Sequence, residues 1–151
     1  MSSPPVYLLG GYQTDFARNW SREGRTFADL VRETVQGALA STKVDARDVE
    51  AGHVGNFVGE LFTGQGHLGG LFVEADPAFV GLATGRHEAA CASGSIAALA
   101  ATAEIEAGRY GLACVLGVEW MRNVPGAEAA RKLGAAAWVP SETEGVEFVW
   151  P

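Results

Sequence analysis

The side chains best suited to covalent chemistry are two cysteines, Cys91 and Cys114, and their surroundings differ. Cys91 lies in HEAACASGSIAALAA, His87 to Ala101, with Ala90, Ala92, Ser93 and Gly94 around it. A nucleophile carried above a sheet needs this pattern. The turn is sharp, and no bulky neighbour is tolerated. The helix expected to follow would point its free N–H groups, from Ala92, Ser93 and Gly94, at the sulfur. Its positive dipole end stabilises negative charge there. The same amides could hold a developing oxyanion. The plainer alternative is a small buried cysteine. That reading suits Cys114, which sits inside the apolar run LACVLGV.

Other reactive types are sparse. The histidines are His53, His67 and His87, none at metal-ligand spacing, so no metal site is expected. His87 precedes Cys91 by four residues, which span roughly 13 Å in extended chain. It is therefore rejected as the base for Cys91 and read as a strand residue holding local hydrogen bonds. A cysteine hydrolase would need a histidine close to Cys91, and none is well placed. Gln65 and His67 lie in a glycine-rich stretch and are candidates for lining a site, because loops often carry function. Gly64–Gly69 matches GxGxxG but follows no clean strand-to-helix nucleotide unit, so a phosphate loop is not expected. Glu119 is read as structural.

These residues need elements to position them. Val6–Leu9, ending in Gly10-Gly11, reads as a buried first strand. Thr26 with Asp29 forms a loose capping box for a helix ending near Ser41. Its apolar spacing runs Phe27, Leu30, Val31, Thr34, Val35, Ala38 and Leu39. His53–Val58 is a second strand. Leu61–Val73 is a loop into a short, closely packed helix ending before Asp76-Pro77. Gly85–Ala90 is a third strand, Ser93–Ala107 a helix closed by Gly108, and Leu112–Val118 a fourth strand. The helix after Cys91 is Ala-rich and uncharged until Glu104, which predicts burial on all sides. The order βαβαβαβ specifies an α/β layered fold with a mixed, largely parallel sheet. Beyond Trp120, Asn123-Val124-Pro125-Gly126 is a turn, Ala127–Ala137 a short helix, and Pro140 a breaker. The end, VEFVWP, is unusually apolar for a terminus.

Composition narrows the classes. The 151 residues are 48 % hydrophobic and 19 % charged, which predicts a folded domain and not a disordered one. The net charge is −7 with no Lys/Arg cluster, so a nucleic-acid partner is not expected. Ala89 to Ala103 is too short to span a bilayer, and MSSPPVYLLGG is not a secretory signal, so no membrane role is expected. Two cysteines make no disulfide framework, which fits a reducing cytoplasm.

HEAACASGS resembles the active-site segment of thiolases, the CoA-dependent acyltransferases that make or cleave β-ketoacyl-CoA. VYLLGGYQTDF, VGNFVGELFTGQG and LGVEWM occupy the matching places. The resemblance runs from about Val6 to the end and is strongest to the sterol-carrier-protein type. It implies a thiolase-like half-domain over residues 1–120 and the start of a substrate-covering loop region over 121–151. It implies that Cys91 carries the acyl group and that its N–H is part of an oxyanion hole. Coenzyme A would be substrate, with no covalently bound cofactor, and acyl-CoA the ligand. Gln65 and His67 would lie near the subunit interface and the edge of the site.

The resemblance also implies groups that are missing here. A second catalytic cysteine, a histidine and an asparagine belong to the carboxy-terminal half of the family fold, and no GHP-like or NEAF-like motif is present. The chain is therefore expected to be a truncated or proteolysed product, or to pair with a chain supplying that half, with little turnover alone. Self-association is expected as well. The alternative is a non-catalytic thiolase-like acyl-CoA-binding or scaffold subunit.

Overall fold

The structure is a computed structural model and describes residues 5–145. The chain divides into two compact units. The first takes the chain up to Phe57 and His67–Val118, and the second takes Val58–Gly66 and the chain from Glu119 onward. The apolar residues Val146, Phe148, Val149 and Trp150 lie outside the described residues.

The first unit holds a parallel three-stranded sheet in the order β2-β1-β3. Its strands are β1 (Ala51–Gly55), β2 (Ala83–His87) and β3 (Ala113–Gly117). In register, His53 sits opposite Gly85 and Val115, and Gly55 opposite His87 and Gly117. The α/β layered class and parallel pairing expected from the sequence are present.

Helix α1 (Phe27–Thr42) starts as its sequence predicts. The Asp29 N–H donates to Thr26 Oγ1, and the Thr26 N–H donates to Asp29 Oδ2. Two of the amides that a helix start leaves orphaned are thereby satisfied. Leu30, Val31 and Val35 form its buried stripe. The main core lies beside it, where Phe72 and Phe79 meet edge to face at 5.7 Å. Phe72 belongs to the short, closely packed helix expected before Asp76-Pro77, which is a 3₁₀ stretch over Leu68–Glu74. That stretch packs so closely that a Cβ on Gly52 would lie 2.8 Å from the Phe72 ring.

Helix α3 (Ser93–Glu106) covers the other face of the sheet. Its bounds match the sequence reading, but its burial does not. Only Ser93, Ala97 and Ala101 are buried, while Ile96 and Leu99 are 40 % and 64 % exposed. An uncharged helix is buried all round only if a second layer covers its outer face. Among the described residues none does.

Val6–Leu9 also departs from expectation. It joins no ladder, and Tyr7, Leu8 and Leu9 are all well exposed. Direct pairing of β1 with β3 leaves this run no interior slot in the sheet. It lines an apolar cleft of about 410 Å³ together with α1 and β3. Among the described residues, three strands are formed where four were expected.

In the second unit, α2 (Gly59–Thr63) and α4 (Gly126–Leu133) pack together. Asn123 Nδ2 donates to the Phe62 carbonyl at 2.7 Å, and Lys132 Nζ to the Leu61 carbonyl at 2.6 Å. Pro140 does not break a helix here. It sits in the first turn of α5 (Val139–Glu142), where a missing N–H costs nothing. Among the described residues, no helix is long and apolar enough to cross a membrane.

Candidate active site

Parallel α/β sheets present their ligands beyond the carboxyl ends of their strands. Cys91 sits beyond that end of β2. The strand stops at His87, a tight turn occupies Ala90–Ala92, and α3 begins at Ser93. Cys91 is exposed.

The turn is strained. Ala90 has φ 48°, a left-handed conformation that costs a non-glycine residue about 1–2 kcal/mol. The surroundings hold it there. The Ala90 N–H donates to Glu88 Oε1 at 2.6 Å. The Ala89 N–H donates to Ser93 Oγ at 3.0 Å, and that hydroxyl donates to the Ala90 carbonyl at 2.6 Å. Ser93 is thus the buried peg of the turn.

Two sequence-derived oxyanion donors are occupied in this geometry. The Ala92 N–H donates to the Ala89 carbonyl at 2.9 Å, and the Ser93 N–H to the Ala90 carbonyl. A 3₁₀ turn precedes the α-helix and consumes them. The Cys91 N–H has no acceptor among the described residues.

The helix comes this close to the sheet because of Gly55. A Cβ there would lie 2.6 Å from the Gly94 Cα. Gly94 itself faces open space, with nothing within 4 Å of a Cβ.

Cys114 differs from Cys91. It lies half-buried in β3 opposite Gly52, and burial pushes its thiol up to about 11. At pH 7.5 roughly one Cys114 in 3,000 would be thiolate, and the thiolate is the nucleophile. Iodoacetamide at pH 7.5 is therefore expected to label Cys91 in the folded chain and to reach Cys114 only after denaturation. Peptide mapping checks this, and equal labelling of both would contradict it.

The remaining candidates have local roles. His87 Nε2 lies 2.9 Å from His53 Nδ1, consistent with a strand residue held by local hydrogen bonds. Burial, then the neighbouring His53, lower its affinity for a proton, against the opposing pull of Glu104. His67 is exposed at φ 50°, with its ring over Gly70. Gln65 belongs to the second unit, is exposed, and donates to the Gly66 carbonyl at 2.6 Å. Glu119 accepts the Val58 N–H at 3.3 Å. Gly64 caps α2 at φ 71°, and a Cβ on Gly69 would meet Thr84 Oγ1 at 2.5 Å. Those glycines serve a cap and a close approach.

Sequence reasoning missed Asn56. It is fully buried, its Nδ2 donates to the Val118 carbonyl at 2.6 Å, and its N–H donates to the His87 carbonyl at 3.1 Å. It pins the ends of all three strands beside the Cys91 turn. The available signal was a polar residue standing where the strand turns out, inside the apolar pair Val54 and Val58.

A parallel sheet that delivers an exposed cysteine through a strained turn into a helix defines an α/β protein with its cysteine at a strand-to-helix turn. Within that class, residues 6–144 match the family described as "Thiolase, N-terminal domain", and the chain belongs to the thiolase family. It is similar to the acetyl-CoA acetyltransferase of Methanocaldococcus jannaschii, 34 % identical over 125 residues, which cover 83 % of this chain and 31 % of that protein. The acetyl-CoA acetyltransferase of Methanothermobacter thermautotrophicus is 31 % identical over 79 % of this chain and 30 % of its own length. The non-specific lipid-transfer protein-like 2 of Caenorhabditis elegans is 29 % identical over 97 % of this chain and 36 % of its own length. The chain spans about a third of the length of these relatives.

Proposed function

We propose that this chain carries the nucleophile of an acyl-CoA C-acyltransferase. The observation that carries the reading is the exposed Cys91 held in a strained turn between β2 and α3. The Cys91 thiolate attacks the thioester carbonyl. The carbon–sulfur bond to coenzyme A breaks, coenzyme A leaves as a thiolate that takes a proton, and an acyl-Cys91 remains. The Cys91 N–H is the donor offered to the oxyanion. The two named acetyltransferases support acetyl-CoA as a first probe.

The chain alone stops at this half-reaction. Completing a condensation or thiolysis needs a second proton-moving group, which we assign to the carboxy-terminal half of the family fold or to a partner chain. The exposed outer face of α3 supports that assignment. Residues 1–120 would be the amino-terminal half-domain and 121–151 the start of the loop region.

Incubation with acetyl-CoA, acid quench and peptide mapping test the reading. One acetyl group on Cys91 is expected, with release of one equivalent of coenzyme A. A chain whose Cys91 alkylates readily yet never acylates would sink it. That result would favour the second reading, a non-catalytic acyl-binding subunit, to which the likeness to a lipid-transfer-like protein gives support.

A further inference from the structure

His53 is 5 % exposed and stands in the middle of β1, the central strand. Both its ring nitrogens meet ionisable groups. Nδ1 lies 2.9 Å from His87 Nε2, and the two rings stack at 5.1 Å with 26° between planes. Nε2 lies 3.2 Å from Glu104 Oε2, close to the carboxylate but not aligned as a hydrogen bond. Glu104 Oε1 in turn lies 3.6 Å from Arg109 Nη1. His87 is the last residue of β2, and Glu104 lies on α3. Those two elements flank Cys91 on either side.

We propose that His53 is a positioning residue, tying the end of β2 to α3 and thereby holding both flanks of the Cys91 turn. The proton count dictates how. A carboxylate facing a bare ring nitrogen would be repulsive, so the His53 proton sits on Nε2 toward Glu104. Its Nδ1 is then an acceptor, and His87 must donate through Nε2–H. Both imidazoles are thus held as Nε2–H tautomers.

Among the described residues, the ionisable groups of the other packed elements are engaged elsewhere or lie on the opposite face. On β3 the titratable side chain is Cys114, which is in register with Gly52 and so on the opposite pleat from His53. Arg86, next to His87 on β2, is also on the opposite pleat and donates to the Phe57 carbonyl. In the Leu68–Glu74 stretch, Glu74 pairs with Arg32. Burial, more than the neighbouring His53, lowers the proton affinity of His87. Because the folded state resists a proton that the unfolded chain accepts near pH 6.5, stability is lost as pH falls below that value.

The tie itself does not depend on acyl transfer. Its bearing on catalysis rests on Cys91 being the nucleophile, and the test reads the tie without any acyl-CoA. Asparagine reproduces the Nδ1 side of an imidazole, and glutamine the Nε2 side. In hydrogen exchange at pH 7.5, His53→Asn should keep the β2 end protected and speed exchange of α3 amides about tenfold. His53→Gln should do the reverse. Equal loosening of both elements, or of neither, would show a packing role only and overturn the proposal. Should either variant not fold, imidazole nitrogen shifts of the unaltered chain decide. Nε2–H tautomers at His53 and His87 are expected, and an Nδ1–H tautomer at His53 overturns it. The acid-dependent fall in Tm should also flatten in His87→Gln, and an unchanged slope counts against the proposal.

Discussion

Cys91→Ser is expected to lower acyl-adduct formation from acetyl-CoA by at least about a thousandfold while leaving the fold intact. The two halves of that expectation have separate causes. A serine hydroxyl at neutral pH is a far weaker nucleophile than a thiol, and among the described residues no base is paired with position 91 to activate it. The fold survives because Cys91 is exposed, and such a change typically moves stability by less than about 0.5 kcal/mol. Intact mass reports the adduct, and thermal unfolding reports the fold. A serine variant that still acylated at an undiminished rate would place the nucleophile elsewhere. The remaining thiol, Cys114, would then be the first residue to inspect, although burial raises its pKa and so argues against it.

The second large effect is structural and falls on Gly55. A methyl group there would sit 2.6 Å from the Gly94 Cα, 2.7 Å from the Gly94 nitrogen and 2.7 Å from the Ser93 carbonyl carbon. These are backbone atoms at the start of α3 and cannot swing aside as a side chain would. The helix must move off the sheet, and the Cys91 turn moves with it. Gly55→Ala is expected to cost about 3 kcal/mol, at the upper end of overpacking effects. It should also alter the alkylation rate of Cys91. The control is Gly94→Ala, on the other side of the same contact. Its added methyl meets nothing within 4 Å and its φ is not left-handed, so it should be neutral or mildly stabilising in a helix. Denaturant titration of both variants distinguishes them. Equal losses would mean that the close approach at Gly55 does not position the helix.

Gly52→Ala makes a useful comparison. Its methyl would meet the Phe72 ring at 2.8 Å, but an aromatic side chain can shift where a helix backbone cannot. The cost should therefore be smaller than at Gly55, even though both glycines lie on the same strand.

The candidate site was legible in the sequence to the extent that it is local. Small residues around Cys91, a strand before it and a helix after it are all properties of neighbours in the chain. The same holds for the Thr26–Asp29 capping box and for the bounds of α3, whose composition and closing glycine act over a few residues. The glycine-rich stretch was legible as close packing, but not as a cap at Gly64 and a contact at Gly69.

What depended on distant partners was not legible. The run Val6–Leu9 has the composition of a strand, but a strand exists only where its backbone joins a neighbour's ladder. The β1–β3 pairing closes the interior of the sheet, and the run lies beside β3 without pairing. The helix after Cys91 has the composition of a buried element, but burial is set by what lies outside it, and its outer face is open among the described residues. Ala92 and Ser93 were reasonable oxyanion donors by position, until the 3₁₀ geometry of the turn spent their protons on nearby carbonyls. His53 and His87, separated by 34 residues, became partners only through the parallel register, and Asn56 became a pin only because three strand ends converge on it. By itself, the sequence determined the cysteine-bearing turn and the elements on either side of it, because those are set by short-range sterics and helix-end chemistry. The tertiary structure alone decided which groups hold that turn in place, because hydrogen bonds between strands depend on register and not on order along the chain.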